Sequence, residues 1–234
     1  MKILVIVAHP DDEVLGMGGT MLKHFKDGDS VTVAYLTTGI TSRRSTNFKN
    51  SINYDTSSKN ELEMKKQIKK LNYDAKSACK ILKVKDSVFF NFPDNEMDTI
   101  SRSEIIGVIE KIVNKNKPER IYTSHYGDLN IDHRIVCECV LSVCESLKTN
   151  VKEICCFEIL SSTEWAFPYK FKPNYFTDIK NEIEQKVKAM KCYKNEIREY
   201  PHPRSIEGIK NSAERWGTIS GLACAEAFEI IKKI

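Results

Sequence analysis

The sequence predicts an α/β protein with a Rossmann-like, mostly parallel sheet, helices on both faces and a C-terminal helical subregion. Residues 2–8 form a continuously apolar, β-branched run, as expected of a strand buried on both faces of a parallel sheet. Strand-like runs then alternate with helical patterns of roughly 10 to 20 residues. The chain has 234 residues, 41% of them hydrophobic and 29% charged, which favours one ordinary globular domain over residues 1–234.

The elements follow in order along the chain. Strands are predicted at residues 2–8, 31–37, 88–91, 120–124 and 154–160, and the first of these is the expected central strand. Helices are predicted at residues 13–26, 61–82, 101–116, 133–147, 181–198, 205–216 and 224–233. The polar segment at residues 39–59 lacks an apolar period, so it is predicted to be a long loop and a candidate substrate lid.

Charge and cysteine content exclude several classes of function. The net charge of +4 and the isoelectric point near 8.5 fall short of a dedicated nucleic-acid-binding domain, so no nucleic acid partner is expected. No apolar run has the length of a membrane span or a signal-peptide core, which predicts a cytoplasmic protein without a membrane span. The eight cysteines are expected to be reduced thiols, because disulfide scaffolds are short secreted chains and no export signal is found here. They contain no Cys-x-x-Cys pair, which disfavours a zinc thiolate site.

Polar side chains crowd the end of the first predicted strand, where ligands collect in open α/β sheets. The chain reads His9, Pro10, Asp11, Asp12 and Glu13 directly after that strand. Capping of the following helix explains one aspartate. It does not explain the histidine or a second aspartate, and adjacent residues project in different directions. One aspartate can therefore coordinate a metal while the other faces a reacting water, and both interpretations stay open on these residues alone.

A second polar loop, at residues 125–134, follows the strand predicted at residues 120–124. Asn130 or Asp132 can simply cap the next helix, and His125 can be a hydrogen-bonded loop residue. Two donor clusters that follow two parallel strands are nevertheless expected to meet at one edge of the sheet.

One combination of these donors has the composition of a hydrolytic zinc site. His9, Asp12 and His133 supply two imidazoles and one carboxylate, which leaves one position for water. No Gly-x-Gly-x-x-Gly follows the first strand, which disfavours a dinucleotide-binding module.

Five segments resemble a known family, the PIG-L/LmbE-like zinc-dependent N-acetylglucosaminide deacetylases. The first motif is Ala-His-Pro-Asp-Asp-Glu-Val-Leu-Gly at residues 8–16, and the second is Asp-Leu-Asn-Ile-Asp-His-Arg at residues 128–134. The later segments resemble the bacterial branch that acts on sugars. They are Ser-Ser-Thr-Glu-Trp at residues 161–165, Pro-His-Pro-Arg-Ser at residues 201–205 and Ala-Glu-Ala-Phe at residues 225–228.

The resemblance implies an activity and a residue for each role. His9, Asp12 and His133 match the zinc ligands, and Asp11 matches the general base. The implied reaction removes the acetyl group from an N-acetylated amino sugar, either free or linked to a nucleotide, lipid or glycan, and releases acetate. The expected partner is therefore a small-molecule amino-sugar substrate, and the expected cofactor is Zn²⁺.

Two positions depart from the family pattern. Asn130 stands where a histidine often begins a His-Pro-Asp-His motif, and the arginine often found before the third strand is not evident at residues 71–74. Either Asn130 or His202 is then expected to stabilise the intermediate, with His125 a weaker candidate and His24 an exposed helix residue. The expected substrate-binding residues are Asp128, Glu164, Trp165, Arg204 and, for a phosphate-linked sugar, Arg43 or Arg44.

Two other functions stay open on the sequence. A metal-dependent hydrolase of another bond, such as a thiol-conjugate amide or a phosphoester, would use the same ligands. A non-catalytic module that binds a sugar or nucleotide would hold the ion for structure only. The apolar helix faces also leave a homo-oligomer open.

Overall fold

The computed structural model describes residues 1–40, 58–145, 149–168 and 170–234. Its seven strands are β1 (Lys2–Val7), β2 (Ser30–Thr37), β3 (Asp86–Phe92), β4 (Arg120–Ser124), β5 (Glu153–Phe157), β6 (Tyr175–Asp178) and β7 (Ala225–Lys233). Its α-helices are α1 (Asp12–Lys26), α2 (Ser58–Ile81), α3 (Arg102–Asn116), α4 (Ile131–Glu145), α5 (Ile183–Met190) and α6 (Ile206–Ser220). Arg43, Arg44 and most of the expected lid lie outside the described residues.

The strands form one sheet in the order β3-β2-β1-β4-β5-β7-β6. The first five pair in parallel with β1 at their centre, as expected, and β7 pairs antiparallel with both β5 and β6. Two apolar cores cover the two faces of this sheet. The predicted fold class is confirmed. Within the described residues, no helix combines the length and apolar character needed to cross a membrane.

The C-terminal subregion contains α5 and α6, but one predicted helix is wrong. In the segment predicted as a helix at residues 224–233, Ala225–Lys233 form β7, because pairing with β5 on one side and β6 on the other outweighs the helix preference of Ala, Glu and Lys. The predicted helix at residues 181–198 is also too long, since α5 ends at Met190. Strand β6 has no counterpart among the predicted elements.

Helix α1 is broken near its middle, where Met17 has non-helical backbone angles (φ −147°, ψ 26°). The break leaves backbone groups that need partners. Glu226 from β7 accepts hydrogen bonds from the backbone N–H groups of Gly19 (2.9 Å) and Thr20 (2.6 Å). Lys186 from α5 donates to Glu226 (2.6 Å) and to a backbone carbonyl of α1 (2.9 Å). The C-terminal subregion therefore anchors the helix that begins at Asp12, directly after Asp11.

His24 is buried, so its expected exposure is wrong. Its ring lies in the last turn of α1, which packs over the sheet. Nδ1 lies 2.7 Å from Asp29 Oδ2, and Nε2 lies 3.0 Å from the hydroxyl of Tyr122. Asp29 directly precedes β2, so this cluster lies toward the amino-terminal edge of the sheet, opposite the edge where the polar clusters lie.

Candidate active site

The carboxyl-terminal edge of the sheet brings the three expected metal ligands together. His9 follows β1, Asp12 begins α1 and His133 lies in the first turn of α4, which follows the neighbouring strand β4. His9 Nδ1 is 3.0 Å from His133 Nε2. Asp12 Oδ2 is 3.2 Å from His133 Nε2 and 3.5 Å from His9 Nδ1. One donor atom from each residue thus lies within 4.8 Å of the others, which is close enough to hold one ion.

The chemistry of these donors fits a divalent cation. Asp12 Oδ1 is buried and has no hydrogen-bond partner among the residues that the structure describes, so it is a carboxylate oxygen in need of one. Burial raises the pKa of Asp12, but the charges and hydrogen bonds of His133 and His9 outweigh burial and hold that pKa below its usual range. Asp12 therefore favours the ionised form that a metal-binding carboxylate must have.

Carboxylates also lie behind both imidazoles. His133 Nδ1 is 3.0 Å from Asp128 Oδ1. His9 Nε2 is 3.1 Å from Asp132 Oδ2 and 3.0 Å from Asp94 Oδ1. Partners in these positions fix the ring orientation and tautomer of a ligating histidine. Such positions for Asp94 and Asp132 were not predicted from the sequence, although Asp94 follows β3 and the rule that ligands collect at strand ends applies to it as well.

The surroundings of Asp128 favour support of His133 over the expected contact with substrate. Asp128 is 1% exposed. Its carboxylate accepts hydrogen bonds from the hydroxyl groups of Ser162 and Thr163 (2.6 Å for the latter) and from the backbone N–H of Asn130 (2.8 Å). Its oxygens are thus turned toward the protein rather than toward solvent.

Asp11 lies beside the three expected ligands in an unusual backbone conformation. It is the residue before α1, and within the described structure its side chain makes no capping hydrogen bond to that helix. Its φ of 117° lies in a region that non-glycine residues rarely adopt, at a cost of about 1–3 kcal/mol. Asp11 Oδ2 instead accepts a hydrogen bond from an Arg204 guanidinium nitrogen at 3.1 Å. Burial raises the pKa of Asp11 to about 8, although the charge of Arg204 opposes the rise.

A cleft of about 240 Å³ opens at this edge of the sheet. Its lining includes His9, Asp11, Asp94, Asn130, Arg198 and Arg204. Most of the lining is polar, which suits a substrate rich in hydroxyl and amide groups. A small polar molecule that enters the cleft can therefore reach Asp11 and His9, one of the three expected metal ligands.

Asn130 lines the cleft, but its side chain already has two partners. Its Oδ1 accepts a hydrogen bond from the backbone N–H of Asp132 at 2.8 Å, so Asn130 caps α4. Its Nδ2 donates to Asn95 Oδ1 at 2.7 Å. A role in stabilising the intermediate stays a prediction, and it would use the second N–H of Nδ2, because the first is donated to Asn95.

The other expected accessory residues lie around Arg204. His202 Nδ1 accepts a hydrogen bond from the Arg204 backbone N–H at 3.1 Å, and the His202 ring meets Trp165 edge-on at a centroid distance of 5.4 Å. Trp165 is 49% exposed and so is not a core residue. Glu164 accepts a hydrogen bond from the Ser161 backbone N–H at 2.9 Å. Their contact with substrate stays a prediction.

His125, the weaker candidate, is buried at the end of β4. Its Nε2 lies 3.1 Å from Glu229 Oε2, and its Nδ1 accepts a hydrogen bond from the Gly127 backbone N–H at 3.0 Å. Both ring nitrogens are thus engaged with β7 and with its own loop. This geometry corresponds to the hydrogen-bonded loop residue that the sequence left open.

The fold and the converging donors define an α/β protein with a candidate mononuclear metal centre. Residues 4–144 match the family described as PIG-L: GlcNAc-PI de-N-acetylase. This match spans more than half of the chain, so the protein belongs to the PIG-L family, and the resemblance seen in its motifs is confirmed. Deacetylases of this family are metal-dependent, and the cluster of His9, Asp12 and His133 offers the donors for such an ion.

Curated relatives cover most of the chain. The diacetylchitobiose deacetylase of Thermococcus kodakarensis is 29% identical over 243 aligned positions, which cover 100% of this chain and 84% of that protein. An uncharacterized deacetylase of Escherichia coli strain K12, YaiS, is 26% identical over 199 positions, which cover 82% of this chain and 90% of the relative.

Solved structures share the fold at lower identity. The N,N′-diacetylchitobiose deacetylase of Pyrococcus horikoshii superposes with a TM-score of 0.76 at 23% identity, covering 99% of this chain and 84% of that one. The zinc-inhibited form of teicoplanin deacetylase Orf2 gives 0.75 at 16% identity, covering 100% and 99%. GalB, a 4-carboxy-2-hydroxymuconate hydratase of Pseudomonas putida, gives 0.73 at 17% identity, covering 100% and 97%. Because a hydratase has the same fold, the fold alone does not select the reaction.

Proposed function

We propose that the protein is a metal-dependent N-deacetylase. It hydrolyses the acetamide of an N-acetylated amino sugar, free or within a nucleotide, lipid or glycan conjugate, to acetate and a free amine. The observation that carries the proposal is the convergence of His9, Asp12 and His133 beside Asp11. Membership of the PIG-L family and the deacetylase relative from Thermococcus kodakarensis support the choice of bond.

We propose Zn²⁺ as the ion, since two imidazoles and one carboxylate are the ligands of many hydrolytic zinc centres. Zinc supplies two effects when bound: it lowers the pKa of a coordinated water toward about 7 and polarises the acetyl carbonyl. His9, Asp12 and His133 would hold the ion. Asp128, Asp94 and Asp132 hold the two rings in the orientation seen here.

Asp11 is the proposed proton carrier. Its carboxylate takes the proton from the attacking water and later delivers a proton to the nitrogen of the departing amine. The water oxygen becomes bonded to the acetyl carbon, and the bond from that carbon to nitrogen breaks. Arg204 holds Asp11 Oδ2 at 3.1 Å and so orients the carboxylate during both transfers. A positioned acid or base of this kind contributes about 10²- to 10⁴-fold in rate.

Arg204 also lines the cleft, where its guanidinium forms an ion pair with Asp11. We propose that its guanidinium contacts the substrate and that His202 steadies the backbone of Arg204 through the 3.1 Å hydrogen bond. Contacts of Glu164, Trp165 and Arg43 with substrate hydroxyl or phosphate groups remain part of the proposal. A cytoplasmic location and a homo-oligomer also remain predictions.

The test is acetate release by the zinc-loaded protein from N-acetylglucosamine, diacetylchitobiose and a nucleotide-linked N-acetylglucosamine. We expect acetate and an equal amount of free amine from at least one of them. Protein stripped with a chelator should be inactive and should recover when zinc is restored. Phosphate release from a phosphorylated sugar without acetate would instead indicate the phosphoester alternative. Tight binding of a sugar without either product would indicate a binding module.

A further inference from the structure

The proposed base, Asp11, has a backbone conformation that needs external support. Its φ of 117° is unfavourable for a residue with a Cβ atom, and such a conformation persists only where neighbouring groups fix it. Arg204 holds the carboxylate, but a contact to the side chain does not set the backbone. Helix α1 holds the Asp11 carbonyl, which accepts hydrogen bonds from the backbone N–H groups of Val14 and Leu15, so the Asp11 N–H is the backbone group that another residue must hold.

Glu13 makes that contact. Its Oε2 accepts a hydrogen bond from the backbone N–H of Asp11 at 3.1 Å. Its Oε1 accepts a second hydrogen bond from the hydroxyl of Tyr193 at 2.6 Å. Tyr193 follows α5, is 1% exposed and approaches Glu13 from the C-terminal subregion. One buried carboxylate thus links the peptide of the proposed base to a fixed tyrosine.

Glu13 does not itself reach the reaction. It is 0% exposed, so it does not reach a substrate in the cleft. Both of its oxygens are used, one by the peptide of Asp11 and the other by Tyr193. Keeping a carboxylate fully buried is costly, and a simple packing role needs only an apolar side chain of similar size.

We propose that Glu13, held by Tyr193, is a positioning residue that fixes the Asp11 backbone and thereby aims the catalytic carboxylate. This inference rests on the proposed function of Asp11 as base. The charged side chain of Arg204 and the buried side chain of Glu13 then fix Asp11 from two sides, the first at its carboxylate and the second at its peptide.

The experiment is a double-mutant cycle between Glu13 and Asp11 in the zinc-loaded protein. Glu13→Met removes the hydrogen-bond acceptors at similar volume and should lower kcat about 10- to 100-fold, since misplacing a catalytic group by about 1 Å costs up to that much. KM and zinc content should stay within about twofold. Glu13→Gln keeps a carbonyl that can accept from the Asp11 peptide, so it should retain most of the activity.

The cycle separates positioning from structure. If Glu13 acts through Asp11, Glu13→Met has no further effect on kcat in a protein that already carries Asp11→Asn, because the group that it aims is gone. An equal loss in both backgrounds would overturn the proposal. A loss of zinc together with activity would do the same, since Glu13 would then act on the metal ligands.

Two further variants keep the test decisive. Tyr193→Phe removes a single hydrogen bond and should lower kcat about 3- to 10-fold by the same route, even if Glu13→Met fails to fold. Glu158→Met is the matched control, because Glu158 is another buried carboxylate and accepts hydrogen bonds from Trp216 and Ser212. It should lower stability and leave kcat unchanged.

Hydrogen exchange of the Asp11 amide tests the contact without any turnover. Glu13→Met should speed that exchange, whereas Glu13→Gln should not. Equal exchange in the wild-type protein and in Glu13→Met would overturn the proposal. If the wild-type protein releases acetate from no substrate, the proposed function fails, and the exchange result still decides whether Glu13 holds the Asp11 peptide.

Discussion

Two histidine clusters lie at opposite edges of the sheet and differ in what their rings face. At the amino-terminal edge, His24 uses one ring nitrogen for Asp29 and the other for Tyr122. At the carboxyl-terminal edge, His9 and His133 each place one nitrogen against a supporting carboxylate and turn the other toward Asp12 and each other.

This difference separates an arrangement that stabilises the fold from one that can bind a metal. The partners of His24 satisfy its ring completely, so that cluster holds structure together. The inward-facing atoms of His9, His133 and Asp12 have mainly one another as contact partners. Asp12 Oδ1 has no hydrogen-bond partner in the described part of the chain. A converging set that still holds an unpartnered carboxylate oxygen has coordination capacity for an added ion. Imidazole and carboxylate groups alone do not mark a metal site, whereas their convergence does.

The largest effect is expected for His133→Ala, which removes a ligand from the converging cluster. Metal affinity should fall by more than the roughly 10- to 100-fold that loss of a supporting residue costs. Acetate release should fall with it, and zinc per protein is measured after dialysis by elemental analysis. If this variant retains one zinc per chain, His133 is not a ligand. The proposed difference between the two edges of the sheet would then be wrong.

Asp11→Asn should separate turnover from metal binding. The amide keeps the size of the side chain but cannot accept the proton of the attacking water, so kcat should fall about 10²- to 10⁴-fold. Zinc content should match that of the wild-type protein because Asp11 is not part of the converging donor set. Activity close to the wild-type level would remove Asp11 as the base.

Asp128→Asn should weaken the support behind one ligand. The carboxylate of Asp128 lies 3.0 Å from His133 Nδ1 and helps to raise the pKa of His133 to about 9 against the opposing effect of burial. Its loss should lower zinc affinity or kcat about 10- to 100-fold, as measured by competition with a chelator and by acetate release. Unchanged affinity and rate would mean that this carboxylate serves only its contacts with Ser162 and Thr163.

The sequence was most informative where function depends on strand ends. The runs after β1 and β4 carry His9, Asp12 and His133, and a parallel sheet must bring the ends of neighbouring strands together. The convergence of these three residues was therefore predictable without coordinates.

The support of the site was much less predictable. Lys186 reaches α1 from α5, Tyr193 reaches it from the turn after α5, and Glu226 reaches it from β7, the strand mistaken for a helix. These contacts join residues far apart in the sequence, and no local periodicity encodes them. The conformation of Asp11 was equally hidden, because a positive φ at a non-glycine residue results from tertiary contacts and not from the residue type.

The smallest effect concerns the amino-terminal edge and tests whether His24 is only structural. Burial lowers the pKa of His24, outweighing Asp29 and Asp27, which raise it, while Arg120 adds to the lowering. The folded protein thus prefers neutral His24, with Tyr122 against its Nε2. A group with a lowered folded pKa contributes stability above its unfolded pKa, about 6.5, and loses it as the pH falls through the folded value.

The variant His24→Gln should therefore have a lower free energy of unfolding than the wild-type protein at pH 7.5. This difference in free energy of unfolding should narrow at pH 5.5. Urea unfolding of the two zinc-loaded proteins measures this difference in stability. Acetate release at pH 7.5 should be equal for the two proteins, because His24 lies at the edge of the sheet opposite the cleft. A gap that widens toward acid would mean that His24 is charged in the folded state. The histidines at the two edges of the sheet would then be more alike in charge than their contacts indicate. Only the convergence of His9, Asp12 and His133 would then distinguish the candidate metal site from the His24 cluster.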